Sequence, residues 1–134
     1  MSNVTVMTNE QIARQIERSV VAADVEIFRA VYAEGAVVYN ALADAEMSVD
    51  ASLQFLQAVL GVTEKLWYED VRITGTERGY VDQHYACLTL RNGTDVRIPA
   101  VMVVTVENGL VTRLDEYLEG AAAAPVSAAL AAAA

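Results

Sequence analysis

Basic residues, cysteine and histidine are scarce in this chain of 134 residues. Nine lysines and arginines face eighteen aspartates and glutamates, a formal net charge of −9, and no basic run offsets the excess. That balance argues against nucleic acid and against an anionic membrane surface as partners. A single cysteine, Cys87, leaves no internal disulfide. With His84 as the sole histidine, it also leaves no zinc site of the Cys/His type, so no metal is expected. The opening residues MSNVTVMTNE carry neither the basic nor the apolar region of a secretion signal, which makes a cytoplasmic location the expectation. No uncharged apolar run before the C-terminal segment is long enough to span a bilayer. The segment 121–134 is alanine broken by Pro125 and Ser127, and without large side chains to bury it reads as a loosely held tail.

What is present describes a folded domain. Hydrophobic residues make up 54% and charged residues 20%, enough to build one core. After an N-terminal extension over 1–8, Thr8 and Gln11 form a capping-box signal, and Ile12, Ile16 and Val20 repeat at helical spacing, which predicts a helix over 9–22. Asp24 caps a second over 25–34, stopped by Gly35. A third over 49–60 begins at Ser48 or Asp50 and closes at Gly61. A short β-rich run, 36–41, lies between the last two. Beyond Trp67 the glycines and the pairs Asn92-Gly93 and Asn108-Gly109 cut the chain into strands over 67–74, 80–90, 97–107 and 110–118, with the Asn-Gly pairs as hairpin turns. The order α-α-β-α-β-β-β-β predicts an α+β domain over 9–120 in which a curved, mainly antiparallel sheet wraps its concave face around the helices. Both faces of 97–106 are apolar, which points to a homodimer through the convex face at Val101, Val103, Thr105 and the even positions of 80–90.

In the last strand Leu110, Thr112, Leu114, Glu116 and Leu118 alternate onto one face. Glu116 thus stands between two leucines, where loss of solvent raises a carboxylate's pKa and suits it to donate as well as accept a proton. A glutamate at a strand end can instead reach solvent or pair with an arginine. His84 is the one side chain whose ordinary pKa lies near neutrality, although a lone histidine is more often structural. Alternation alone does not decide which face of 80–90 looks inward. Cys87 has no base beside it in sequence and reads as a small core residue. No phosphate loop, dinucleotide fingerprint or nucleophile elbow is present.

The segments VYAEGAVVYNA, RIPAVMVVTVENG and GLVTRLDEYLEG, in this order of elements, resemble the nuclear transport factor 2-like superfamily. That cone-shaped fold is shared by ketosteroid isomerase, limonene epoxide hydrolase, scytalone dehydratase and the SnoaL-like polyketide cyclases. The resemblance implies a pocket built from Val38 and Asn40, from Gln83, Tyr85 and Cys87, from Ile98, Ala100 and Met102, and from Glu116 and Leu118, and it turns His84 away. Asn40 stands where ketosteroid isomerase has its aspartate base, and Ile16 and Met102 stand where it has its oxyanion donors, so that mechanism is not implied. Val38, Gln83 and Tyr85 replace the tyrosine, arginine and first aspartate of the epoxide hydrolase. A single acid in an apolar pocket matches the SnoaL-like cyclases. The implied function is cofactor-independent isomerisation or cyclisation of a hydrophobic small molecule, with Glu116 as acid/base, Tyr85 as oxyanion donor, and Asn40 and Gln83 orienting the substrate. The alternatives are a non-catalytic binding module and an epoxide-hydrolase-like enzyme.

Overall fold

A computed structural model describes residues 6–134; the remainder of the expected N-terminal extension lies outside the described residues. The first helix, α1 (Asn9–Ala22), opens as its sequence dictates. The Thr8 hydroxyl accepts from the Gln11 amide while the Gln11 side chain takes the Thr8 N–H at 2.9 Å. Its buried stripe is Ile12, Ala13, Ile16 and Val20. Asp24 caps α2 (Val25–Arg29), which is half the length that the sequence suggests. Gly35 is not its stop: it has φ +75° inside β1 (Tyr32–Asn40), where the pairing register slips, so the glycine serves a bulge within a strand.

A turn through Asp44, at φ +49°, folds β1 back onto an unexpected short strand, β2 (Ala45–Ser48), in the stretch read as polar. Then follow α3 (Val49–Gly61), capped by Ser48, and β3 (Thr63–Thr76), which starts four residues before the expected Trp67. The meander continues through β4 (Gly79–Leu90), β5 (Asp95–Glu107) and β6 (Leu110–Leu118). The six strands form one sheet in the order β2-β1-β6-β5-β4-β3, antiparallel except for the β1–β6 pair. The expected α+β architecture is therefore observed, with the helices against the concave face.

The tail reverses its reading. Residues Gly120–Ala133 form α4, with Ala123 and Val126 buried against Val20, Val59, Ile98 and Leu118 of the core. Alanine is the strongest helix former, and one well-placed valine supplies the anchor that the composition alone hides. Glu119 caps this helix, its carboxylate accepting from the Ala121 and Ala122 amides. Changing Glu119 to alanine should cost about 1 kcal/mol, read as a lower midpoint in urea unfolding.

Candidate functional site

Glu116 and Asn40 meet because β1 and β6 run parallel with these two residues in register. The Asn40 side-chain amide donates to Glu116 Oε1 at 2.9 Å. Asn40 cannot turn over freely, since its carbonyl oxygen accepts from the Leu42 amide at 2.8 Å and helps to close the turn into β2. The backbone locks the pair further, the Ala41 N–H donating to the Glu116 carbonyl at 2.9 Å. Burial pushes the Glu116 carboxyl above its usual range, against the lesser opposing pull of the Asn40 hydrogen bond.

Glu116 opens onto a cavity of about 120 Å³ between the sheet and the helices. Its walls are mainly apolar, including Phe28, Leu53, Leu56, Leu114 and, from α4, Val126. The polar groups on it are Asn40, Ser52, Tyr32, Tyr68 and Glu116. Burial raises the phenols of Tyr68 and Tyr32 above their ordinary value, so both remain O–H donors. Apolar cavities near 150 Å³ hold a single aromatic ring, which sets the scale of what this cavity encloses.

Of the residues picked from sequence, Val38, Asn40, Ile98, Met102, Glu116 and Leu118 line the cavity. Ala100 is buried on the same strand but is not part of the wall. Gln83, Tyr85 and Cys87 are on the other side of the sheet, and this corrects their expected place. Gln83 and Tyr85 line a groove on the convex face with Arg72, Pro99 and Tyr117, and the Arg97 guanidinium lies 3.6 Å over the Tyr85 ring. Cys87 is buried beside Glu69 and Arg97 on that outer side, its thiol pushed up chiefly by burial.

The reversal has one cause. A two-residue turn at Asn92-Gly93 would set Gln83 opposite Met102. Instead Leu90 donates to the Thr94 carbonyl across a loop that includes residue 91, and Gln83 pairs with Val101. A slip of one residue turns every side chain of β4 over. A second irregularity, between Thr105 and Val106, keeps Leu114, Glu116 and Leu118 inward but also turns Val111 inward. Val111 is fully buried, whereas Leu110, expected inside, is exposed.

The even positions of β4 therefore face the core: Tyr80, Asp82, His84, Ala86, Leu88 and Leu90. His84 Nδ1 is 2.9 Å from Asp82 Oδ1 with both side chains buried, and the imidazole lies flat on the Tyr68 ring at 3.8 Å between centroids. His84 Nε2 and the Tyr80 hydroxyl have no hydrogen-bond partner among the described residues. Glu17 of α1 faces the same pair, and its carboxyl is raised first by burial and then by Asp82. Asp82 is the functional candidate that sequence reading misses. The signal is the spacing Asp-x-His, which on any strand puts both side chains on one face. Among the described residues no cluster of three or more His, Cys, Asp or Glu side chains is placed to hold a metal ion, and no helix is long and apolar enough to cross a membrane.

Neither the family models nor the curated proteins include a match to this chain. Solved structures do match, along nearly its whole length. IdmH from Streptomyces antibioticus, provisionally named a polyketide cyclase, superposes with a TM-score of 0.77 at 12% identity over 91% of this chain and 99% of its own. The chain has the nuclear transport factor 2-like fold. A protein carrying that name from Burkholderia xenovorans superposes on this cone at 0.69 with 19% identity, covering 91% of this chain and 97% of its own. A provisional SnoaL-like polyketide cyclase from Shewanella denitrificans reaches 0.74 with 14% identity, covering 90% and 96%. At these identities the cone itself is shared, and the chemistry must be argued from the side chains that fill it.

Proposed function

We propose that this cone is a small-molecule acid–base enzyme of SnoaL-like type, acting without a cofactor on a hydrophobic substrate that bears a carbonyl. One observation carries the reading: a carboxyl with raised proton affinity, held by a single amide, at the wall of a mainly apolar cavity. A carboxyl so placed is available in its neutral form nearer to neutral pH than an exposed one, the condition for giving and taking a proton. Tyr68 takes the role first expected of Tyr85, as an O–H donor toward the oxygen on which charge develops. Asn40 fixes the carboxyl and leaves one of its oxygens for the substrate.

The test is exchange of α-protons of small cyclic enones in deuterated water, followed by NMR. Acceleration by the wild-type chain that disappears in Glu116→Gln supports the enzyme. Saturable binding of the same enones without exchange would leave the binding module as the reading.

The proposed assembly is a homodimer through the convex face. There Val103 and Tyr117 are 39% and 48% exposed. The even positions of β4 do not contribute to that face, since they point into the core; Val81, Gln83 and Tyr85 take their place. Light scattering at micromolar concentration should report twice the 14.4 kDa chain mass. Val103→Lys should give the monomer with the fold retained.

A further inference from the structure

The core holds a polar pair that the Glu116 reading leaves unused. Asp82 and His84 share one hydrogen bond of 2.9 Å, and the His84 side chain is fully buried. A carboxylate accepts hydrogen bonds, so Asp82 holds a proton on Nδ1, and in the neutral ring that tautomer leaves the lone pair on Nε2. Nothing among the described residues donates to that lone pair. Tyr68 lines the cavity and lies flat on the imidazole, so the pair stands one ring's thickness from the space that Glu116 opens onto. Buried polar atoms without partners are rare, and this one is a strong acceptor held in a set orientation.

We propose that Asp82 and His84 form a second acid–base centre of the same cone, in which Nε2 accepts an O–H group. The ligand completing this pocket then carries a hydroxyl, as an enol, a phenol or an alcohol, besides the apolar ring and the carbonyl that the Glu116 end takes. The inference rests on the acid–base reading and extends it: one group takes a proton from the hydroxyl oxygen while the other gives one to the carbonyl side, so the proton count balances and no co-reactant is needed. The charged and titratable groups facing the imidazole are Asp82 on its own strand, Tyr68 from β3, Glu17 from α1 and Glu116 from β6.

Because His84 is the sole histidine, ¹⁵N-histidine labelling reports on it alone. The full-length protein should show Nδ1 protonated and Nε2 bare near neutral pH. Phenol should move the Nε2 resonance, while toluene of nearly the same shape should not. Phenol should also bind about tenfold more tightly than toluene, as one hydrogen bond to a buried acceptor allows. That preference should vanish in His84→Phe, which keeps a ring against Tyr68, and shrink in Asp82→Asn, which releases the tautomer. It should persist in Glu116→Gln. A proton on Nε2, equal affinities for phenol and toluene, or a preference unchanged in His84→Phe would each overturn the second centre. Since the spectrum and the wild-type affinities need no variant, the proposal is decided even if His84→Phe does not fold. Loss of enone exchange in Glu116→Gln is read separately, so failure of one centre leaves the other standing.

Discussion

Changing Glu116 to glutamine should remove proton exchange by a factor of about 10² to 10⁴ and at the same time make the protein more stable at neutral pH. The two effects have one origin. Burial raises the carboxyl's pKa in the folded state above its unfolded value. Folding therefore takes up a proton in the interval between the ordinary carboxylate value and the raised one, and stability falls as pH rises through that interval. Glutamine carries no such penalty and keeps an oxygen for the Asn40 amide. Urea unfolding of both proteins across acidic and neutral pH checks the sign. The variant's advantage should be present at neutral pH and fade as pH falls below the ordinary carboxylate range. An advantage independent of pH would mean that the gain comes from packing. An unfolded variant would make Glu116 a structural hydrogen-bond centre.

Ending the chain at Glu119 should be the most damaging change to stability among those considered. Removal of α4 uncovers the apolar surface that Val126 and Ala123 seal, around Val20, Val59, Ile98 and Leu118. Full burial of a single valine is worth about 1.5 to 3 kcal/mol, and the uncovered partners add to it, so a loss of about 3 kcal/mol is expected. For a domain of this size that lowers the melting temperature by about 10 °C, measurable by calorimetry. Val126 also lines the cavity, so the truncated chain should lose affinity for ring compounds together with stability. A truncated chain with an unchanged melting temperature would mean that the helix only rests on the surface.

The cone and its acid were legible because each is written in local pattern. Capping residues and helical spacing mark α1 and α3, Asn108-Gly109 marks a turn whose residues both have positive φ, and alternation places Glu116 between Leu114 and Leu118. What escaped depends on backbone count. The loop after Leu90 holds one residue more than a tight Asn-Gly turn, and that residue decides whether Tyr85 or His84 faces the core. No side-chain preference in β4 announces the choice, since both faces mix polar and aromatic residues. The tail was misread for a different reason. Low-complexity alanine gives no hydrophobic stripe, and the anchoring Val126 looks like an interruption until its partners on the core are known.

The parallel pairing of β1 with β6 has a consequence for how the site comes into being. Strands β3 to β6 form a meander in which each pairs with the next, so their contacts are mostly local. Asn40 and Glu116 are separated by 76 positions and meet only when a segment from the first third of the chain closes onto the last strand. That closure carries a loop entropy that the hairpins of the meander do not, and it is therefore expected later than they are in folding. A partly folded chain can hold the meander complete and still lack any grip on the Glu116 carboxyl. Competence for proton transfer is thus a property of the finished topology, and it is lost first when β1 detaches.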